Sequence, residues 1–207
     1  VEDAKRAGLE TVLNLIYSIS PKHTDEYYAE RGKAAHRLLQ VLPGFPPAER
    51  QAAARRYCER ALPSMSSEER EALVAEAMAV LADPEFAEIF ASDSRTEVSV
   101  MGILDIGGTP RAVSGRIDRL SVSGDEVLIL DYKTGAMLPG ERHHPAHAVQ
   151  LAAYRDLLRP LYPGKHVRAA LLYTALPRLV VLGDEEMDAA LAALASGRDA
   201  PGGIAGP

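Results

Sequence analysis

Over the first 92 residues the apolar positions recur at intervals of three and four, the period of an α-helix with one buried stripe. DAKRAGLETVLNLIYSI (residues 3–19) places Leu9, Val12, Leu13 and Ile16 on such a stripe. DEYYAERGKAAHRLLQVL follows, with Asp25 as candidate N-cap and Pro43 as the stop. A third helix, AERQAAARRYCERAL, starts at the Pro46-Pro47 break, since proline is tolerated in a first helical turn. A fourth, SSEEREALVAEAMAVLA, opens with serine and acids that suit the positive end of a helix dipole. DPEFAEIFA predicts a short fifth.

After residue 94 the period shortens to two. TEVSVMGIL and RAVSGRIDRLSV alternate as strands around a turn at Asp105–Pro110, and SGDE turns tightly into VLILDYK. AHAVQLAAYRDLLRPLY returns to helical spacing, with Val149, Ala152, Ala153 and Leu157 on one side. VRAALLYT and RLVVL are two more strands, and DEEMDAALAALA a last helix before a Gly/Pro-rich end expected to fray. Three strands joined by short turns predict an antiparallel meander, and the helix after them allows a crossover. The expected fold class is therefore α/β: a mixed sheet flanked by helices, with an N-terminal helical part. The expected boundaries are one domain over 1–183, made of a helical part at 1–92 and a sheet-and-helix part at 95–183, and then a C-terminal helix and tail at 184–207.

Alternation also exposes an anomaly. In VLILDYK, Val127, Ile129, Asp131 and Lys133 share one face, and Leu128, Leu130 and Tyr132 take the other. A charge removed from water costs several kcal/mol or more unless it is paired or bound to a metal. GRIDRL on the preceding strand sets another acid, Asp118, in an apolar context, and the short turn makes the two strands neighbours. Two adjacent carboxylates repel unless a cation lies between them. Oxygen ligands of this kind suit Mg2+, with Lys133 placed to hold a water or steady charge on a phosphate. The competing reading is a buried Asp131–Lys133 pair that satisfies itself, with Asp118 partnered by Arg116 or Arg119.

Composition excludes several classes. With 47% apolar and 25% charged residues in 207, the chain is an ordinary globular one. No apolar run reaches the ~20 residues needed to cross a bilayer, and the start does not resemble a signal peptide. The chain opens mid-pattern without an initiator Met and is expected to be a piece of a longer protein. The lone cysteine, Cys58, excludes an internal disulfide or a four-thiolate cluster; in AARRYCERAL it reads as an apolar filler in a reducing compartment. A net charge of −6 argues against a dedicated nucleic-acid grip, yet residues 95–183 carry 11 basic and 8 acidic side chains. That segment is either a phosphate-facing surface or a solvated face of uneven charge. No GxxxxGK[ST] phosphate loop is present.

RGKAAHRLLQVLP, GRIDRL, DYKTG and QLAAY, in that order and followed by the AALLYT strand, resemble the RecB/AddA family of nuclease domains within the PD-(D/E)xK superfamily, closest to the C-terminal nuclease domain of AddA helicase-nuclease subunits. The resemblance spans about residues 30–182. It implies a restriction-endonuclease-like fold and a Mg2+-dependent DNA exonuclease, with Mn2+ as an alternative ion. It further implies that His36, Asp118, Asp131 and the main-chain carbonyl of Tyr132 are metal ligands and that Lys133 is catalytic. Gln150 and Tyr154, four apart on one helix face, match the QxxxY motif beside the active site. Without the family, His36 reads as a packed or surface histidine, Tyr154 as helix-to-sheet packing and Gln150 as an exposed amide. The implied setting is a bacterial, cytoplasmic, ATP-dependent helicase-nuclease in double-strand break repair, with the helicase on the same parent chain and an AddB-like partner subunit. DNA, mainly single-stranded, is the implied substrate, and no membrane is involved. Ile117 precedes Asp118 where the superfamily's name has proline, as is usual in this branch, and the cysteines of iron–sulfur relatives are absent. Glu97 could support the site. The HHPAH run (His143, His144, His147) reads as a solvated segment near DNA rather than a zinc site, which needs a fuller ligand set. Two alternatives stand beside this reading: an inactive nuclease fold used for docking or holding DNA ends, and a stand-alone CRISPR- or phage-type exonuclease.

Overall fold

In the computed structural model, residues 25–90, 94–134 and 142–197 are described. The predicted helix over 3–19, the first part of the loop after DYKT and the last ten residues lie outside them. Three helices come first: α1 (Asp25–Val41), α2 (Pro47–Ala61) and α3 (Ser67–Ala82). α3 is capped as its sequence announces. The Ser66 hydroxyl accepts the Glu69 N–H while the Glu69 carboxylate accepts the Ser66 N–H. DPEFAEIFA does not continue as a helix and gives only a 3-10 turn at Pro84–Phe86. Such a stretch is too short to repay helix nucleation, and Asp83 spends its carboxylate on the Glu85 N–H.

The sheet holds five strands in sequence order: β1 (Arg95–Ile106), β2 (Thr109–Ser123), β3 (Glu126–Lys133), β4 (His166–Tyr173) and β5 (Arg178–Leu182). The first three form the expected antiparallel meander. α4 (Pro145–Leu158) then crosses over, so β3 and β4 run parallel, and β5 closes antiparallel. α5 (Asp184–Ala195) is the last element.

Each sheet face carries its own core. Leu130, Tyr132, Ala170 and Leu172 pack against α1, α2 and α3. Val127, Ile129, Ala169 and Leu171 pack against α4 and, through Met187, α5. The alternation read along β3 therefore sorts its side chains onto the two faces as expected. Cys58 is fully buried, and burial raises its thiol pKa, which suits an inert filler. No helix among the described residues is long and apolar enough to cross a membrane.

Candidate active site

The β2–β3 ladder fixes where the acids meet. Arg119 pairs with Leu130 and Leu120 with Ile129, so one further step of the register sets Asp118 opposite Asp131. The ladder stops short of that step. Instead the Tyr132 N–H donates to Asp118 Oδ2 at 2.7 Å, so a side chain takes the place of a backbone acceptor. The other carboxylate oxygen, Oδ1, faces His36 Nδ1 at 3.4 Å. His36 arrives from α1, with its ring edge-on to Tyr132 at 5.4 Å between centroids.

Arg119 sets the height of α1 over the sheet. It neighbours Asp118 but points to the opposite face, where Nη2 donates to the Leu39 carbonyl and Nε to the Tyr132 hydroxyl, both at 2.9 Å. Its guanidinium also lies 4.8 Å from the Phe90 ring centre. Only 3% of Arg119 is exposed, so this clamp joins α1, β2 and β3 in a dry environment, and burial pushes the Tyr132 phenol up to about 12. Gly32 lets the helix pass close to the end of β3, because a Cβ there would stand 3.2 Å from Thr134 Oγ1.

Asp131 and Lys133 project from the end of β3 on the same face, with Lys133 Nζ 2.7 Å from Asp131 Oδ2. The contact has ion-pair distance without the angle of a hydrogen bond, and Asp131 Oδ2 remains a buried oxygen with no hydrogen-bonding partner. Burial raises the Asp131 pKa; Lys133 opposes the rise and the Asp118 charge adds to it. For His36, burial is the largest single influence and works against the charged ring. The hydrogen bond and charge of Asp118, with Asp131 behind them, outweigh it and lift the pKa above the ordinary value. Both groups are thus shifted toward their protonated forms, Asp131 chiefly by burial and His36 by the neighbouring acids.

The residues suit a divalent cation in kind. An imidazole and two carboxylates are hard-to-borderline donors, and ligands at ~2.1 Å in an octahedron stand ~3 Å apart, close to the His36–Asp118 separation. They do not form a closed cage: among the described residues no three His, Cys, Asp or Glu side chains stand in metal-binding geometry, and Asp131 is turned to Lys133. A turn of Asp131 would swap the ammonium for an ion.

α4 forms the second wall. Gln150 Nε2 donates to the Tyr154 hydroxyl at 3.2 Å, and that hydroxyl accepts the Arg116 N–H at 3.3 Å, two residues before Asp118. A Cβ on Gly115 would sit 2.1 Å from the Tyr154 oxygen, so only glycine admits this ring. Gln150 is therefore engaged rather than a free amide, and Tyr154 ties α4 to β2.

Three features escaped the sequence reading. Glu97 holds a left-handed φ of 55° in β1, opposite Asp118 in a register that skips this pair, and its carboxylate binds Arg116 at 2.6 Å. Nothing in TEVSV signals that bend. Arg31 and Thr174 both bind Glu76, joining α1, α3 and the end of β4 beside the site. The HHPAH run is divided: His143 Nε2 binds Glu186 at 2.6 Å, His144 Nδ1 caps α4 through the Ala146 N–H, and His147 lies in the first turn.

The three-layer α/β fold thus gathers an imidazole, two acids and a lysine where the central strands part. The chain belongs to the PD-(D/E)XK nuclease superfamily, whose sequence profile matches residues 5–199. Members are generally hydrolases of phosphodiester bonds and typically use divalent metals. Two solved structures are among those to which the chain is similar. SSO0001 is 16% identical over 81% of this chain and 76% of its own, with a TM-score of 0.36. VC1899 from Vibrio cholerae is 15% identical over 84% of this chain and 57% of its own, with a TM-score of 0.31. Among curated proteins the sequence has no match.

Proposed function

We propose that this domain is a Mg2+-dependent deoxyribonuclease that degrades single-stranded DNA as an exonuclease, within an ATP-dependent helicase-nuclease of the RecB/AddA type that acts in double-strand break repair. The observation that carries the reading is the convergence of His36, Asp118, Asp131 and Lys133, from α1, β2 and β3, on one opening in the sheet. His36, Asp118, Asp131 and the Tyr132 carbonyl would hold the ion. A bound divalent cation supplies the positive charge that offsets the growing negative charge on the phosphate and lowers the pKa of a water.

The chain's own groups do the rest. Lys133 Nζ is held beside Asp131, from where it can orient a water or donate to a phosphate oxygen. His36 must lose its proton to bind an ion, and its raised pKa moves that exchange to higher pH than for a free imidazole. Gln150, oriented by the Tyr154 hydroxyl, offers an amide toward the strand that enters. The motor on the same parent chain and an AddB-like subunit would provide the DNA grip that a net charge of −6 does not.

One observation favours a second reading, an inactive fold that holds DNA ends: Asp131 is engaged with Lys133 and the donors do not close. End-labelled single-stranded DNA with increasing Mg2+ separates the two. Cleavage that needs Mg2+, stops with chelator and falls at least ~10³-fold in Lys133→Ala supports the nuclease. DNA binding without cleavage at any Mg2+ or Mn2+ concentration supports the holding module.

A further inference from the structure

His147 has no role in the site as described, yet it lies against it. Positions 147, 150 and 154 are spaced three and four apart, so His147 shares the helix face that carries Gln150 and Tyr154. That face is turned to β2, since the Tyr154 hydroxyl receives the Arg116 N–H. His143 is bound to Glu186 and His144 caps the helix, whereas His147 Nδ1 is buried with no hydrogen-bonding partner. Among the described residues, the buried side-chain polar atoms without such a partner are this nitrogen and Asp131 Oδ2.

The orphaned nitrogen decides what the ring can do. A neutral imidazole carries one proton. At Nδ1 that proton would be a buried donor with no acceptor, a costly state, so it resides on Nε2. The residue is half-buried, and Nε2, unlike Nδ1, is not among the buried atoms that lack a partner. A metal-binding histidine normally donates its second ring N–H to a carboxylate or carbonyl, and here Nδ1 has none. The geometry therefore offers an N–H donor, suited to an anion, and not a metal ligand.

We infer that His147 is a substrate-binding residue that donates from Nε2 to a backbone phosphate oxygen of single-stranded DNA beside Lys133. Burial first, and then the Lys133 charge, lower the His147 pKa to about 4, so the ring stays neutral at physiological pH and adds no repulsion to Lys133. The inference rests on the deoxyribonuclease reading above.

The test compares His147→Phe, which keeps a ring without a donor, with His147→Gln, which restores an N–H, and with His147→Ala as a second donor-free variant should the phenylalanine misfold; melting curves check each. A fluorescent oligothymidylate gives Kd by anisotropy in chelator, and Mg2+ turnover of the same strand gives kcat and KM. Loss of a charge-assisted hydrogen bond predicts Kd and KM about tenfold higher in the donor-free variants. kcat should stay within about threefold and His147→Gln should recover most of the affinity. Mg2+ affinity, measured calorimetrically, should be unchanged. Donor-free variants with wild-type Kd and KM overturn the inference, and so does a parallel loss of Mg2+ affinity, which would make His147 a metal ligand. Should the wild-type protein neither bind nor cut the strand, the deoxyribonuclease reading fails first; wild-type cleavage with indifferent His147 variants overturns this inference alone.

Discussion

Arg155 at the α4–α5 junction and Asp131 at the end of β3 are both charges withdrawn from water, and the fold treats them in opposite ways. The Arg155 side chain is 0% exposed and is met by Asp156, Asp184 and Asp188. Burial alone would favour losing its proton, but the surrounding carboxylates outweigh it and raise the pKa further. Asp131 has one misaligned lysine, a like-charged neighbour and an oxygen with no hydrogen bond, and its pKa moves toward the neutral form. The first arrangement holds two helices together. The second stores an unfavourable charge, which proteins keep where a ligand will offset it. Burial does not separate these roles; the completeness of the partner set does.

Removing the complete set should cost most. Arg155→Met deletes the cation that joins α4 to α5 and leaves three partly exposed carboxylates to water. About 3 kcal/mol should be lost from the urea unfolding free energy; a loss too small to detect would mean the cluster is ornamental. Gly115→Ala places a methyl where the Tyr154 hydroxyl lies and should cost about 2 kcal/mol, visible as a lower urea midpoint and weaker nuclease activity together. The incomplete set should respond with the opposite sign. Asp131→Asn removes a charge the fold disfavours, so the melting temperature at pH 7 should rise by about 3 °C while activity is lost. Because the folded-state pKa of Asp131 lies above its ordinary value, the wild-type penalty exists above that folded pKa and fades as pH falls through it. The advantage of the asparagine should therefore shrink on acidification in melts run from pH 7 downward, and an advantage that grows instead would reverse the assignment. Smallest of all, Arg55→Ala breaks a two-pronged but exposed bridge to Glu71 and should leave the urea midpoint unmoved.

The strand faces and the meeting of Asp118 with Asp131 could be read from the chain, because alternation and a four-residue turn are local facts. The mixed sheet followed from the helix between two apolar strands. Partners that lie far along the chain could not be read. Arg155 looks like any polar residue in an amphipathic helix, since Asp184 and Asp188 come 29 and 33 residues later. Likewise, HHPAH gives no hint that Glu186 claims one histidine and the helix start another. The bend at Glu97 is a backbone event that its side chain does not predict.

Asp118 accepts the Tyr132 amide N–H where the β2–β3 ladder has run out, so the carboxylate that fastens two strands also faces His36 in the proposed metal site. Architecture and the proposed chemistry meet at a single residue. Substitutions that silence the site there will also unfasten the sheet's centre, whereas Lys133, which lies at the very end of its strand, can be exchanged with far less disturbance to the scaffold.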